Sequence, residues 1–204
     1  MERVETAAVS GYRAVDDYTS NDYTLRITSA VVVDNDGDSG LVSMELTNTG
    51  SGTIELDTPS SYVGQETSVA YLGFVESQRG NGDEYKFYVS EDTRRSFSEV
   101  GQWETYEIAG SIPFVMASNS DYSVAVGVGD GPADTNLAMT ETDPPTLIRI
   151  FTNRVVLDPE ETVEWQLPYT GLGTGDLPAD EARNRIEAAS SLPIPDDSEW
   201  EIFG

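Results

Sequence analysis

A two-residue alternation of apolar and polar side chains is the feature that most constrains the fold of this chain. In "LVSMEL", Val42, Met44 and Leu46 alternate with Ser43 and Glu45, which is the pattern of a half-buried β-strand. Similar runs recur through the main body of the chain, with turn-forming residues about every ten positions. No strand–helix–strand rhythm interrupts them. The pattern therefore predicts an all-β protein, an antiparallel β-sandwich or jelly roll of about eight to ten strands.

A single helix is predicted near the C-terminal end, in "DLPADEARNRIEAASSL" at 176–192. Asp176 is a suitable N-cap residue, and the acidic residues of the first turn suit the positive end of a helix. Three residues form a narrow apolar stripe along this helix: Ala182, Ile186 and Ala189. The preceding "TGLGTG" is typical of a hinge, and we expect the stripe to pack on a sheet or on a neighbouring subunit.

The tail "PIPDDSEWEIFG" combines two prolines, which keep the chain extended, with three large apolar side chains, Trp200, Ile202 and Phe203. Two arrangements would bury these side chains: the tail folds back on its own sheet edge, or it docks as an arm on another subunit. We favour the docking arm. The expected organisation is an N-terminal arm, a β-domain, a hinge with a helix, and a C-terminal arm, at residues 1–20, 21–170, 171–192 and 193–204.

An acidic loop has the carboxylate spacing of an EF-hand calcium loop. Asp34, Asp36 and Asp38 are two residues apart, and Glu45 follows eleven residues after Asp34. The flanking segments have strand patterns rather than helix patterns, and Ser39 stands where an EF-hand has glycine. "NDGD" between two strands favours a hairpin tip, with a calcium site on a β-loop as the alternative. We therefore expect no cofactor. If the chain does bind one, we expect it to be calcium at this loop.

Charge limits the partners and the chemistry of the chain. It carries 37 acidic and 11 basic side chains, a formal net charge of −26, with neither histidine nor cysteine. Self-repulsion of this size is relieved at molar salt, where the Debye length is about 3 Å. The negative surface would repel nucleic acid, so we expect no direct binding to it. Without His and Cys, disulfides, Cys/His zinc sites and Ser–His–Asp triads are excluded.

Catalysis would then depend on carboxylates, as in glycoside hydrolysis by an Asp/Glu pair. The sequence singles out no such pair, and Trp103 and Trp165 fit core positions better than a sugar cleft. We therefore expect no enzyme, and keep a carboxylate-dependent hydrolase as the third alternative. Arg94 and Arg95 are an adjacent basic pair in a polar segment, and we interpret them as a contact for an acidic neighbour.

Excess acid, a single lysine and a pI of about 4.1 resemble proteins of halophilic archaea and their viruses. "LDPEETVEWQL" resembles a local device of Ig-like and jelly-roll domains, and "LTNTGSGTIEL" resembles Ig-like pieces of archaeal surface and filament proteins. No signal peptide, membrane span or N-x-[ST] sequon is present, which favours assembly inside the cell.

These resemblances imply a structural virion protein: a capsid, decoration or tail component that contacts itself and other virion subunits and is assembled in the host cytoplasm. The expected assembly contacts are Trp200, Ile202, Phe203, Arg94 and Arg95. The alternative is an extracytoplasmic β-domain of a pilus, archaellum or S-layer at the archaeal cell surface. Contact with a membrane is left open.

Overall fold

The structure is a computed structural model. It describes residues 1–20, 23–56, 67–73, 86–89, 93–96, 104–106, 114–118, 123–131, 135–140, 147–152, 155–173 and 179–202.

These residues form sixteen β-strands, one α-helix and a short 3₁₀-helix. The strands are β1 (Glu2–Glu5), β2 (Val9–Thr19), β3 (Thr24–Asp34), β4 (Ser39–Asn48), β5 (Ile54–Leu56), β6 (Thr67–Gly73), β7 (Lys86–Val89), β8 (Thr93–Ser96), β9 (Glu104–Tyr106), β10 (Phe114–Ser118), β11 (Ser123–Gly127), β12 (Thr135–Thr140), β13 (Leu147–Thr152), β14 (Val155–Leu157), β15 (Thr162–Gly173) and β16 (Glu201–Ile202). The α-helix, α1, spans Ala179–Ala189, and the 3₁₀-helix spans Asp197–Glu199. The prediction of a mostly β protein with one helix is confirmed for the described part.

Most of the strands belong to one large antiparallel sheet. Its order is β16-β1-β2-β3-β4-β15-β11-β10-β7-β8, beside a four-stranded sheet, β6-β13-β12-β9, and a two-stranded pair, β14-β5. Every strand pairing in the described residues is antiparallel. The strand number exceeds the predicted eight to ten because short strands such as β14 and β16 lack a visible alternation, and because the N-terminal segment adds two more.

Residues 1–20, which we expected to be an N-terminal arm, lie in the large sheet as β1 and β2. β2 pairs with β3 along its whole length, from Val9 opposite Asp34 to Thr19 opposite Thr24. Val4 and Val9 are buried. The adjacent carboxylates Asp16 and Asp17 interrupt the apolar–polar alternation of β2, so the sequence did not indicate a strand here. Both residues lie on an exposed part of the strand.

Three local predictions agree with the structure. The acidic loop connects β3 and β4, which pair as a hairpin. Trp165 and Leu167 on β15 are buried, as their alternation predicted. The apolar stripe of α1 is buried too, and Ala182 and Ile186 pack in one cluster with Phe114 and Ala125. The predicted N-cap, Asp176, lies outside the described residues.

The C-terminal strap, which we define as residues 192–202, folds back on its own chain. Leu192 and Ile194 pack against a buried cluster that includes Trp200 and the sheet residues Val4, Val9, Ala30, Val32 and Leu41. β16 then pairs with β1 at the sheet edge, with Ile202 opposite Glu2. This is the arrangement that we considered and did not favour, and it corrects the expectation of an extended docking arm.

The expected assembly contacts are accordingly dispersed. Trp200 is 7% exposed and belongs to the core of its own chain, because its indole packs against apolar residues of the large sheet. Ile202 is 85% exposed on the edge strand. Arg94 and Arg95 lie on β8, whose side chains are outside the described part, as is Phe203. In the described part of the chain, no helix has the length and apolar character needed to cross a membrane.

Candidate functional site

Four neighbouring strands of the large sheet present a grid of aligned side chains on one face. The central row runs straight across the sheet, because the register pairs Val15 with Thr28, Thr28 with Glu45, and Glu45 with Glu164. Alternate residues of a strand share a face. The rows on either side are therefore Arg13, Ala30, Ser43 and Gln166, and Asp17, Arg26, Thr47 and Thr162.

A cleft of about 870 Å³ lies over this grid. Its floor contains Thr28, Ser43, Glu45 and Glu164. The strap residues that line it are Leu192, Ile194, Pro195, Asp196, Asp197 and Trp200. Ala30 belongs both to the cleft lining and to the buried cluster under the strap. The cleft is thus the open continuation of a face whose other end is closed by the strap.

Glu164 is held in place by two donors on the cleft floor. The Ser43 hydroxyl donates a hydrogen bond to Glu164 Oε1 at 3.2 Å, and Gln166 Nε2 donates to the same oxygen at 3.0 Å. Ser43 itself is 3% exposed, which is unusual for a polar residue unless it is hydrogen-bonded. These bonds orient the Glu164 carboxylate beside Glu45.

Glu45 is the titratable group in the cleft whose environment favours its neutral form. Burial raises the pKa of the Glu45 carboxyl, and the negative charges of Glu164 and Asp197 raise it further. The positive charge of Arg13 acts in the opposite direction and offsets part of this rise. A carboxyl with a raised pKa beside a second, oriented carboxylate is suited to donate and accept protons.

Arg13 joins the C-terminal strap to the rim of the cleft. Its Nε donates to Glu2 Oε2 at 2.7 Å, and its Nη1 donates to Asp197 Oδ1. The Arg13 Cζ also lies 5.1 Å from the centroid of the Trp200 ring, within the range of a cation–π contact. Trp200 Nε1 donates to the Pro195 carbonyl at 3.0 Å, which fixes the indole under the strap.

Arg26 lies in the row beyond Glu45, on the side away from the strap. Its Nε and Nη2 donate to the two oxygens of Asp17 at 2.9 and 3.2 Å, in a bidentate and largely exposed pair. Both arginines that line the cleft therefore already have carboxylate partners. With Glu45, Glu164 and the strap carboxylates around it, the cleft disfavours anionic ligands.

The residues proposed for calcium do not converge. Asp34, Asp36 and Asp38 lie in the β3–β4 hairpin tip and line a separate cleft of about 370 Å³ against Arg185 of α1. The Asp36 amide donates to Asp34 Oδ1 at 3.0 Å, so the side chain of Asp34 stabilises the turn.

Glu45 lies far from this tip. Six residues of strand, about 20 Å at 3.3 Å per residue, separate it from Ser39. Among the described residues, no group of three or more His, Cys, Asp or Glu side chains is placed to hold a metal ion. The four-carboxylate site is thus corrected: Glu45 belongs to the sheet cleft, and the aspartates belong to the turn.

The comparisons with known proteins bear on the fold. Neither a protein-family model nor a curated protein sequence matches the chain. Among solved structures, a candidate aldose 1-epimerase from Klebsiella pneumoniae is similar, with a TM-score of 0.57 and 10% identity over 93% of this chain and 57% of that one. The Slr1438 protein from Synechocystis sp. PCC 6803 has a TM-score of 0.55 and 7% identity over 85% of this chain and 64% of that one. The chain thus spans less than two thirds of either structure, and the likeness concerns the fold.

This finding corrects two expectations. The interpretation as a capsid, decoration or tail protein is contradicted, because the similar fold is that of a candidate aldose 1-epimerase. The expectation that the chain is not an enzyme is contradicted for the same reason. The virion interpretation rested on surface charge and on an apolar tail, and the expectation of no enzyme rested on the lack of His and Cys and of a distinguishable carboxylate pair; none of these features locates a site.

Proposed function

We propose that the protein is a carbohydrate-active enzyme that binds a neutral sugar in the sheet cleft and interconverts its anomers. The observation that carries this proposal is the direct pairing of Glu45 with Glu164 on the cleft floor, with the pKa of Glu45 raised. The fold shared with a candidate aldose 1-epimerase supports the choice of substrate class.

The two carboxyl groups would take complementary roles. Opening a pyranose ring requires a proton on the ring oxygen and removal of the proton from the anomeric hydroxyl. In its protonated form, Glu45 would donate its proton to the ring oxygen, and the Glu164 carboxylate would accept the hydroxyl proton. The bond between the anomeric carbon and the ring oxygen breaks, and a carbonyl forms at that carbon. After rotation about the adjacent carbon–carbon bond, the reverse transfers close the ring as the other anomer.

The rest of the cleft would bind the hydroxyl groups of the sugar. Thr28 and Thr47 supply hydroxyl donors and acceptors around the carboxyl pair, and the Ser43 and Gln166 bonds keep Glu164 oriented. Trp165 and Leu167 are buried on the opposite face of β15, which needs a covering layer. We therefore include in the proposal that the fold is a β-sandwich, in which the four-stranded sheet is the second layer.

Polarimetry with freshly dissolved α-D-glucose or α-D-galactose tests the proposal. The wild-type chain should accelerate mutarotation above the buffer rate, and Glu45→Gln or Glu164→Gln should reduce that acceleration by about 100-fold or more. Asp16→Asn is the matched control, because Asp16 is an exposed carboxylate on the opposite face of β2. A wild-type rate equal to the buffer rate with both sugars, or full activity in Glu45→Gln, would contradict the proposal.

A further inference from the structure

The C-terminal strap brings a carboxylate to the rim of the cleft without burying it. The side chain of Asp197 is 95% exposed, whereas that of its partner Arg13 is 13% exposed. Arg13 is itself fixed by Glu2 on β1 and by the Trp200 ring. An exposed carboxylate that would otherwise sample many rotamers is therefore held in one place by a rigid cation.

Five other charged residues line the cleft with Glu45. They are Glu164 on β15, Arg13 on β2, Arg26 on β3, and Asp196 and Asp197 on the strap. After burial and the charge of Glu164, the charge of Asp197 is the next contribution that raises the pKa of Glu45. Both members of the ion pair at the rim line the same cleft as Glu45, and the positive charge of Arg13 opposes part of the effect of Asp197.

We infer that Asp197 is a positioning residue for Glu45: held at the rim of the shared cleft by Arg13, its negative charge favours the protonated form of Glu45 that ring opening requires. The catalytic part of this inference rests on the proposed function, whereas the electrostatic part does not. The strap then does more than cover the apolar end of the sheet, because one of its charges also adds to the effects of burial and of Glu164 on the reactive carboxyl.

NMR titration of the Glu45 side-chain carboxyl in the full chain tests the electrostatic part directly. Asp197→Asn should lower the pKa of Glu45, because it removes a negative charge while an amide oxygen can still accept the Arg13 hydrogen bond. Asp197→Glu should restore the wild-type titration, and Asp16→Asn should leave it unchanged. The titration is run at the lowest salt that keeps the chain folded, because molar salt would screen an exposed charge.

Two results would overturn the inference. One is a Glu45 titration that Asp197→Asn does not move. The other is an Asp16→Asn shift as large as that of Asp197→Asn, which would mean that net charge alone acts. In the polarimetric assay, the pH dependence of the mutarotation rate should shift between the wild type and Asp197→Asn in the same direction as the pKa of Glu45 measured by NMR. If the wild type shows no mutarotation, the proposed function fails, while the NMR comparison still decides whether Asp197 positions the proton of Glu45.

Discussion

The two ends of one sheet face differ in what covers them. Val32 and Leu41 lie under the C-terminal strap, in a buried apolar cluster with Trp200. Four residues further along β4, about 13 Å away, Glu45 lies in an open polar cleft. The same strands, in the same register, therefore build both a core and an open cleft. The fold supplies the platform, and the residue types decide which part of it can do chemistry.

The largest effect should come from the closed end. Trp200→Ala should lower the free energy of unfolding by about 3–5 kcal/mol, because it leaves a cavity over the apolar cluster and removes the ring that Arg13 faces. Thr47→Ala, in the open cleft, is the comparison and should cost about 0.5 kcal/mol or less. Urea unfolding at constant salt measures both. Equal costs would mean that the strap does not hold the closed end.

A smaller loss should come from the cleft floor. Ser43→Ala should cost about 1 kcal/mol, because it removes a partly buried hydrogen bond to the Glu164 carboxylate. The same urea experiment measures it. An unchanged midpoint would show that Gln166 alone satisfies Glu164, and that Ser43 is a packing residue.

Glu45→Gln should raise the stability of the fold, whereas the two preceding substitutions should lower it. The pKa of Glu45 is raised in the folded state, so its neutral form favours folding and this contribution is lost as pH rises through the folded pKa. At pH 7 the variant should therefore melt at a slightly higher temperature than the wild type. At about pH 3.5, below the ordinary glutamate pKa of about 4.3, the difference should vanish. A gain that persists unchanged at the lower pH would contradict the raised pKa.

The smallest effect should come from the exposed ion pair at the open end. Asp17→Asn breaks a bidentate contact with Arg26, but solvent screens both side chains. The melting temperature should not change measurably. A clear loss would show that this end of the cleft is more closed than its exposure indicates.

The sequence predicted those parts of the fold that depend on local periodicity. The alternation in β15 predicted the burial of Trp165 and Leu167, and the helical spacing predicted the burial of Ala182 and Ile186. The hairpin at the acidic loop followed from its turn residues. Each of these depends on residues that are close together in the sequence.

The cleft could not be predicted because it depends on register between distant segments. Ser43 and Glu164 are 121 residues apart, and the sequence gives no sign that β4 and β15 pair. Their polar positions looked like an ordinary solvent-facing side of a strand. The strap was misassigned for a related reason: an apolar tail predicts burial, but the sequence does not say whether its own chain or a neighbour supplies the surface.

Mapping the sugar by NMR tests the central claim most directly, which is that the open end of this face is a saccharide site. Glucose or galactose is titrated into the isotope-labelled chain while amide and methyl shifts are followed. We expect saturable shifts at Thr28, Ser43, Glu45 and Gln166, with Val32 and Leu41 under the strap unmoved. Saturable shifts confined to other surfaces, or no shifts with either sugar, would contradict the account.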